Sequence, residues 1–477
     1  MTNSEERFNN KHFRDVLARY ETSKDTPENM FFDVDDIMDI AEYYNFMGDM
    51  EKARTAADTA AKLYPHSSMV LTLQARLAMF CDNDIAKAKH YACLIEKEGC
   101  EDLEYYYLKA EIMIAEDDID GAEKYLESKL TMLDGDDLAD YLLEVPTIFL
   151  DYRLPELAQK WLVRSSEKDE FDYRETEARI AFQTEDYAKS ETLFKKLLEE
   201  EPFSTSLWNT LASSQYMNGH LAESLESSEY AIAINPNDAE ALLNKARTLA
   251  AMYKFEDAAH FYERYLKLYP HDVPVRSMYA VTLVATGDFD NALTNLYMAK
   301  SQCTDPTMMP DLIKQIAYLL PKKGRTEDAL ALVKNAEADG TIDHTSQLLA
   351  KGRIYVETDD YARANDCFLE AFISSNHDMQ TYLEVSMAYY EKDHINEALQ
   401  TLLAGLSFNP LTKRGFAYLA DCYRQTGRTK EFLETLKLAC KYNPLEAKEV
   451  LGEFFPDDMD PADFYDYAVK KTHGKKP

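Results

Sequence analysis

Across 477 residues the formal charge is −34, the hydrophobic fraction is 46%, and glycine and proline number only 14 and 16. The charge excludes general nucleic-acid binding, which needs a dense Lys/Arg surface, and adsorption to an anionic membrane. The scarcity of glycine and proline argues against turn-rich β architecture and long disordered linkers, so packed helices are expected.

In chain order, residues 1–33 contain a polar helix over 8–23, expected to cap the N-terminus. The first residues lack the basic-then-apolar pattern of a signal peptide, and no apolar run approaches the roughly 18 residues of a membrane span. The seven cysteines (Cys81, Cys93, Cys100, Cys303, Cys367, Cys422 and Cys440) form no C-x-x-C pair. They are expected to be reduced and mostly buried. A cytoplasmic protein follows as the expectation.

Residues 34–134 show small and aromatic residues recurring: Ala41, Tyr44, Gly48, Ala53, Ala60 and Pro65, then Ala110, Ile119 and Ala122. Between these sets, Ala75, Ala78 and Ala88 stand one place out of step. Segment 101–144 carries 15 acidic and 3 basic residues, a solvated face or a dock for a basic partner. In 135–170, Pro146 stands where a small helix residue belongs, so an irregular or kinked helix pair is expected.

From 171 to 444 the pattern is regular. Pro202, Pro236 and Pro270 are 34 residues apart, as are Pro410 and Pro444. Within this frame Ala280 and Ala292 fall where two helices cross, and only a small side chain permits their close approach. Glycine, or Asp359 and Asp393 in its place, ends the first helix in a left-handed turn. A single helix pair cannot bury its apolar face, so stability must come from stacking. Residues 445–477 supply C-terminal caps. Asp460-Pro461 starts a helix with Phe464, Tyr465 and Ala468 on its apolar face, Gly474 stops it, and Lys470, Lys471, Lys475 and Lys476 form a basic tail.

Trp208, Leu211, Ala212, Gly219, Ala231 and Pro236 occupy the characteristic places of the tetratricopeptide repeat family, and the chain resembles that family over roughly 34–444. The resemblance implies an all-α, right-handed superhelical solenoid of about twelve helix-turn-helix repeats. It also implies that the first helix of each pair lines a concave face that holds a polypeptide. Carried onto this sequence, the candidate lining residues are Arg179, Asn209, Tyr216, Arg247, Lys314 and Tyr318, followed by Arg353, Tyr390, Arg414 and Arg424. On the same positions the C-terminal repeats are slightly cationic. The N-terminal ones are acidic, with Asp35, Glu42, Glu104, Glu111, Asp172 and Glu175 against Arg179. Each arginine could serve a ligand or pair with a carboxylate on the neighbouring helix. No repeat has the lysine–asparagine pair with which one subfamily clamps chaperone C-termini.

Catalytic motifs are missing from the sequence: it holds no Walker loop, dinucleotide fingerprint, nucleophile elbow or H-E-x-x-H. Glu116, Asp118, Asp120, Gly121 and Glu127 mimic a calcium loop, but Glu123 breaks its apolar place and the segment is in frame as turn and helix. His90 and Cys93 lack the further ligands that zinc requires. No cofactor, metal or catalytic residue is therefore expected. The expected function is a non-catalytic scaffold or adaptor for another protein or peptide. A small-molecule site within the superhelix and a homo-oligomer assembled through the repeats are the alternatives.

Overall fold

The computed structural model describes residues 8, 11–22, 32–46, 50–80, 82–99, 102–456 and 459–473. Gly48, Cys81, Cys100, Gly474, Lys475 and Lys476, named above, lie outside the described residues. Among the described residues are 27 α-helices and no strand, an all-α repeat solenoid. The chain divides into two compact units, Met1–Lys254 and Phe255–Pro477.

In the first unit, α1 (Lys11–Thr22) is followed by α2 (Val34–Phe46), α3 (Met50–Leu63), α4 (Ser68–Phe80), α5 (Ile85–Glu98), α6 (Leu103–Ala115) and α7 (Ile119–Lys129). Then come α8 (Gly135–Asp151), α9 (Pro155–Leu162), α10 (Phe171–Gln183), α11 (Tyr187–Glu200), α12 (Thr205–Met217), α13 (Leu221–Ile234) and α14 (Ala239–Ala251). Helices α2 to α13 pack as six successive hairpins.

The second unit begins with α15 (Phe255–Leu268) and continues with α16 (Val273–Ala285), α17 (Phe289–Gln302), α18 (Met309–Lys322), α19 (Thr326–Ala338), α20 (His344–Glu357) and α21 (Tyr361–Ser374). It ends with α22 (Met379–Tyr390), α23 (Ile395–Phe408), α24 (Phe416–Gln425), α25 (Thr429–Tyr442), α26 (Pro444–Leu451) and α27 (Pro461–His473). Helices α16 to α25 form five hairpins. The last helix, α27, packs on α25 and seals its end. Asp460 caps that helix by accepting from the Ala462 N–H at 2.8 Å, and Phe464 stacks on Phe455 at 3.9 Å.

One backbone feature sets the register throughout. Among the described hairpin turns a left-handed residue closes the first helix: Asn83, Asp117, Arg153, Glu185 and Gly219, then Gly287, Gly324, Asp359, Asp393 and Gly427, and Tyr253 is left-handed as well. The sequence pattern identified the glycines and two of the aspartates. It missed Asn83, Asp117, Arg153, Glu185 and Tyr253, because only glycine adopts this geometry without Cβ strain. Five residues after these hairpin turns, in all but the last, comes the small residue that packs into the crossing. It is fully buried Ala88, Ala122 and Ala158, then Ser190 and Ser224, then Ala292, Ala329, Ala364 and Ala398, while after Gly427 it is the larger Phe432. The two serines fit because each hydroxyl donates across the crossing, Ser190 to the Ala178 carbonyl and Ser224 to the Ala212 carbonyl at 2.8 Å. On the facing helix Gly352 is obligatory. A Cβ there would lie 2.2 Å from the buried Phe368 ring.

The register also runs through the segment expected to be irregular. Pro146 is buried at the small-residue place of α8, a continuous helix of 17 residues, and Arg153 and Ala158 restore the frame. The irregularity is in lengths: α9 has only 8 residues. The cysteines depart from expectation too. Among those described only Cys422 is buried, Cys93 is exposed, and Cys303, Cys367 and Cys440 are half-buried.

Two measurements follow. Ala280 and Ala292 are both fully buried. Leucine at either place should overpack the crossing and lower stability by about 1–3 kcal/mol in denaturant titration. Glu185→Gly should do the opposite. It relieves a left-handed residue whose side chain is exposed, and should raise stability by about 0.5–1 kcal/mol.

Candidate functional site

Three open cavities are built almost entirely from first helices, whereas another, of about 340 Å³, is lined by α9, the end of α10 and the start of α11. In the first unit a cavity of about 480 Å³ is lined by α2 and α4 and by the start of α6. A second, of about 520 Å³, is lined by α6, α8 and α10. Glu104 lines both, so they form one trough. Neighbouring first helices pack directly against each other here, α4 on α6, α6 on α8 and α8 on α10.

The trough is acidic. Asp35, Asp39, Glu42, Asp102 and Glu104 line the first cavity, and Asp140, Glu144, Asp172 and Glu175 join Glu104 in the second. Its two cations are already engaged. Arg76 bonds Glu111 at 3.1 Å and Glu104 at 3.3 Å, and Arg179 bonds Asp151 at 2.6 Å. Glu104, Asp140 and Asp172 each stand thirteen residues before a left-handed turn, so one register position carries a carboxylate in three consecutive hairpins. The groove walls desolvate Glu144 and push its carboxyl above the ordinary range, with Glu104 adding to the push. Desolvation raises Glu175 likewise, against the pull of Arg179. Tyr107, Leu103 and Leu143 give the trough an apolar floor.

The sequence frame placed Asp35, Glu42, Glu104, Asp172, Glu175 and Arg179 on this face. It missed Asp140 and Glu144, since the proline in α8 had set that helix aside. Aligning Pro146 with the small residues of its neighbours would have found them.

In the second unit, a cavity of about 210 Å³ between α18, α20 and α22 brings together three candidates, Lys314, Tyr318 and Arg353. Arg353 lies over the Tyr318 ring at 4.5 Å, and Lys322 lies over it at the same distance. Both oxygens of Glu391 accept from the Arg353 Nη2, at 2.6 and 2.7 Å. Its Nε is buried with no partner. Lys314 is half-buried and forms no ion pair among the described residues. Leu349, Ala350, Ile354 and Ala388 supply apolar walls, and Glu384 the one carboxylate of the lining.

The remaining candidates are dispersed. Asn209 is 2% exposed, donates to Asp238 at 2.8 Å and accepts from Asn244 through its carbonyl. Tyr216 is half-buried, and its hydroxyl has no hydrogen bond among the described residues. Arg247 is half-buried and pulls against the desolvation that raises Glu240. Arg414 lies in the loop before α24 and is exposed.

Two segments, residues 175–239 and 240–272, match family models described as tetratricopeptide repeat. The chain is a tetratricopeptide repeat protein. No curated protein sequence matches it. Among solved structures, it is similar to a tetratricopeptide repeat protein from Parabacteroides merdae at 14% identity, covering 56% of this chain and 98% of that one, with a TM-score of 0.42. Yeast Tom70 is similar at 16% identity, with 98% and 95% covered and a TM-score of 0.40. Cut9 with Hcn1 of the APC/C is similar at 14% identity, with 96% and 97% covered and a TM-score of 0.31.

In the α6–α7 hairpin, the calcium-like carboxylates have structural partners. Asp118 caps α7 by accepting from the Gly121 N–H at 3.0 Å, Glu116 pairs with Lys89, and Glu127 pairs with Arg164 at 2.6 Å. Among the described residues no His, Cys, Asp and Glu converge as a metal site. No helix among them is long and apolar enough to cross a membrane.

The two C-terminal candidates, Tyr390 and Arg424, meet at a buried carboxylate. Asp421 is fully buried. It accepts from the Arg424 Nε at 2.8 Å, the Gln425 Nε2 at 2.6 Å and the Tyr390 hydroxyl. The Arg424 guanidinium lies 3.4 Å from the centre of the Phe454 ring, beneath the C-terminal cap. Arg424→Ala leaves Asp421 without its cation. It should lower stability by about 2–4 kcal/mol, seen as an earlier unfolding midpoint.

Proposed function

We propose that the protein is a non-catalytic scaffold that holds another polypeptide on the face of its first helices. The observation that carries this is the construction of its three first-helix cavities: α2, α4, α6, α8 and α10 in the first unit, and chiefly α18, α20 and α22 in the second, line them with their side chains. The small residues of the second helices are buried in the crossings, and the α9 cation Lys160 bridges to Glu123 of the preceding hairpin at 2.6 Å. Five free cysteines among the described residues support work in a reducing compartment such as the cytoplasm.

A smaller ligand is the second reading. It is favoured by the cavity of about 210 Å³, where Lys314, Arg353 and Tyr318 surround an apolar space suited to a carboxylate-bearing group.

Photo-crosslinking separates the scaffold reading from its failure. A photoreactive residue placed at Glu144 or Lys314, on first helices, should give discrete protein adducts in cells. The same residue at the exposed second-helix positions Lys196 or Lys334 should not. Equal labelling at both sets, or labelling at the second helices alone, would overturn the proposal.

A further inference from the structure

We infer that the trough of the first unit receives a lysine- and arginine-rich segment of a partner polypeptide, bound in extended form. This rests on the scaffold reading and names the partner's chemistry. The carboxylates of the trough outnumber its two arginines. The side chains of Asp140, Glu144, Asp172 and Glu175 form no hydrogen bond or ion pair among the described residues, and the two arginines are held by Glu104, Glu111 and Asp151. A cationic side chain therefore meets carboxylates that lose no existing partner on binding. The cavity of the second unit differs, since its lysine and arginine face a single carboxylate, Glu384.

Shape selects the form of the occupant. Five first helices, each about 8–10 Å from the next, make a floor of roughly 30–40 Å. An extended chain of about ten to twelve residues spans that length. The register supports it too: Glu104, Asp140 and Asp172 recur once per hairpin, so cationic side chains at regular intervals along one strand can each find a carboxylate. Tyr107, Leu103 and Leu143 lie between them and suit the aliphatic stems of lysine and arginine. Desolvation of half-buried Glu175 strengthens its contact, because a half-dry carboxylate gains more from a cation than a hydrated one.

The test uses the full chain and a fluorescent peptide of about twelve residues alternating lysine and threonine, with the glutamate–threonine peptide as control, in about 150 mM salt. Anisotropy should show binding of the lysine peptide that weakens steeply with added salt, and none of the glutamate peptide. The combined variant Asp140→Asn, Glu144→Gln, Asp172→Asn and Glu175→Gln should bind at least about tenfold more weakly. A matched variant neutralises exposed second-helix carboxylates, Asp120→Asn with Glu199→Gln, Glu223→Gln and Glu226→Gln. It should change affinity by less than about threefold.

Equal weakening by both variants would reduce the interaction to net charge and overturn the inference, as would no weakening by the first. Should the combined variant lose its helical circular dichroism, Glu144→Gln and Asp172→Asn singly should each weaken binding about two- to fourfold, and unchanged affinity in both would overturn it. First-helix crosslinks that persist while the trough variants bind the peptide normally would sink this inference and leave the scaffold reading standing. Absence of first-helix crosslinks would sink the scaffold reading itself.

Discussion

The structure depends on how closely two antiparallel helices can approach. Where they cross, the second helix offers alanine or a bonded serine, and the first offers a residue such as Ala280, Pro146 or Gly352. Close approach brings the backbones together and leaves the larger side chains to fill the space between successive hairpins. The left-handed residue five places earlier fixes where the second helix starts. The crossing and the turn are therefore one device, and its repetition places every first helix in the same attitude. Faces that could bind something arise as a by-product, because the second helices are consumed by packing.

That device explains what was legible in the sequence. Small residues, glycines and prolines at a 34-residue period exposed the hairpins and the caps, including Asp460 and Phe464. The hidden parts share a cause, since the geometry tolerates residues that a pattern search discounts. Tyr253 and Glu185 adopt a conformation that favours glycine, serine replaces alanine at 190 and 224, and proline is accepted within α8. Stacking supplies enough stability to absorb about a kilocalorie of strain at such places.

The candidate site was legible only by position. Sequence spacing could say that Arg353 and Arg424 belong to first helices, but charge pairing is a tertiary property. Glu391 lies thirty-eight residues from Arg353, and Phe454 thirty from Arg424. With those partners in place, two of the cations expected on the C-terminal face, Arg353 and Arg424, are neutralised within the fold. The acidic character of the N-terminal face survives, because its carboxylates outnumber the cations available to them.

An exposed majority charge has thermodynamic consequences within the first unit. Desolvation raises the carboxyls of Glu144 and Glu175 above their ordinary range in the folded chain. A carboxyl raised by folding favours the folded state while it is protonated, and that contribution is lost as pH climbs through the raised folded value. At neutral pH these groups therefore detract from stability, and mild acidification restores it. A bound cation acts in the same direction as a bound proton, since both neutralise the desolvated charge. A basic segment seated in the trough would then stabilise the first unit by mass action, and protonation of these two carboxyls would weaken its hold on the segment. The trough trades intrinsic stability for a state that improves when occupied. A groove whose charges were paired internally would gain nothing comparable from a ligand.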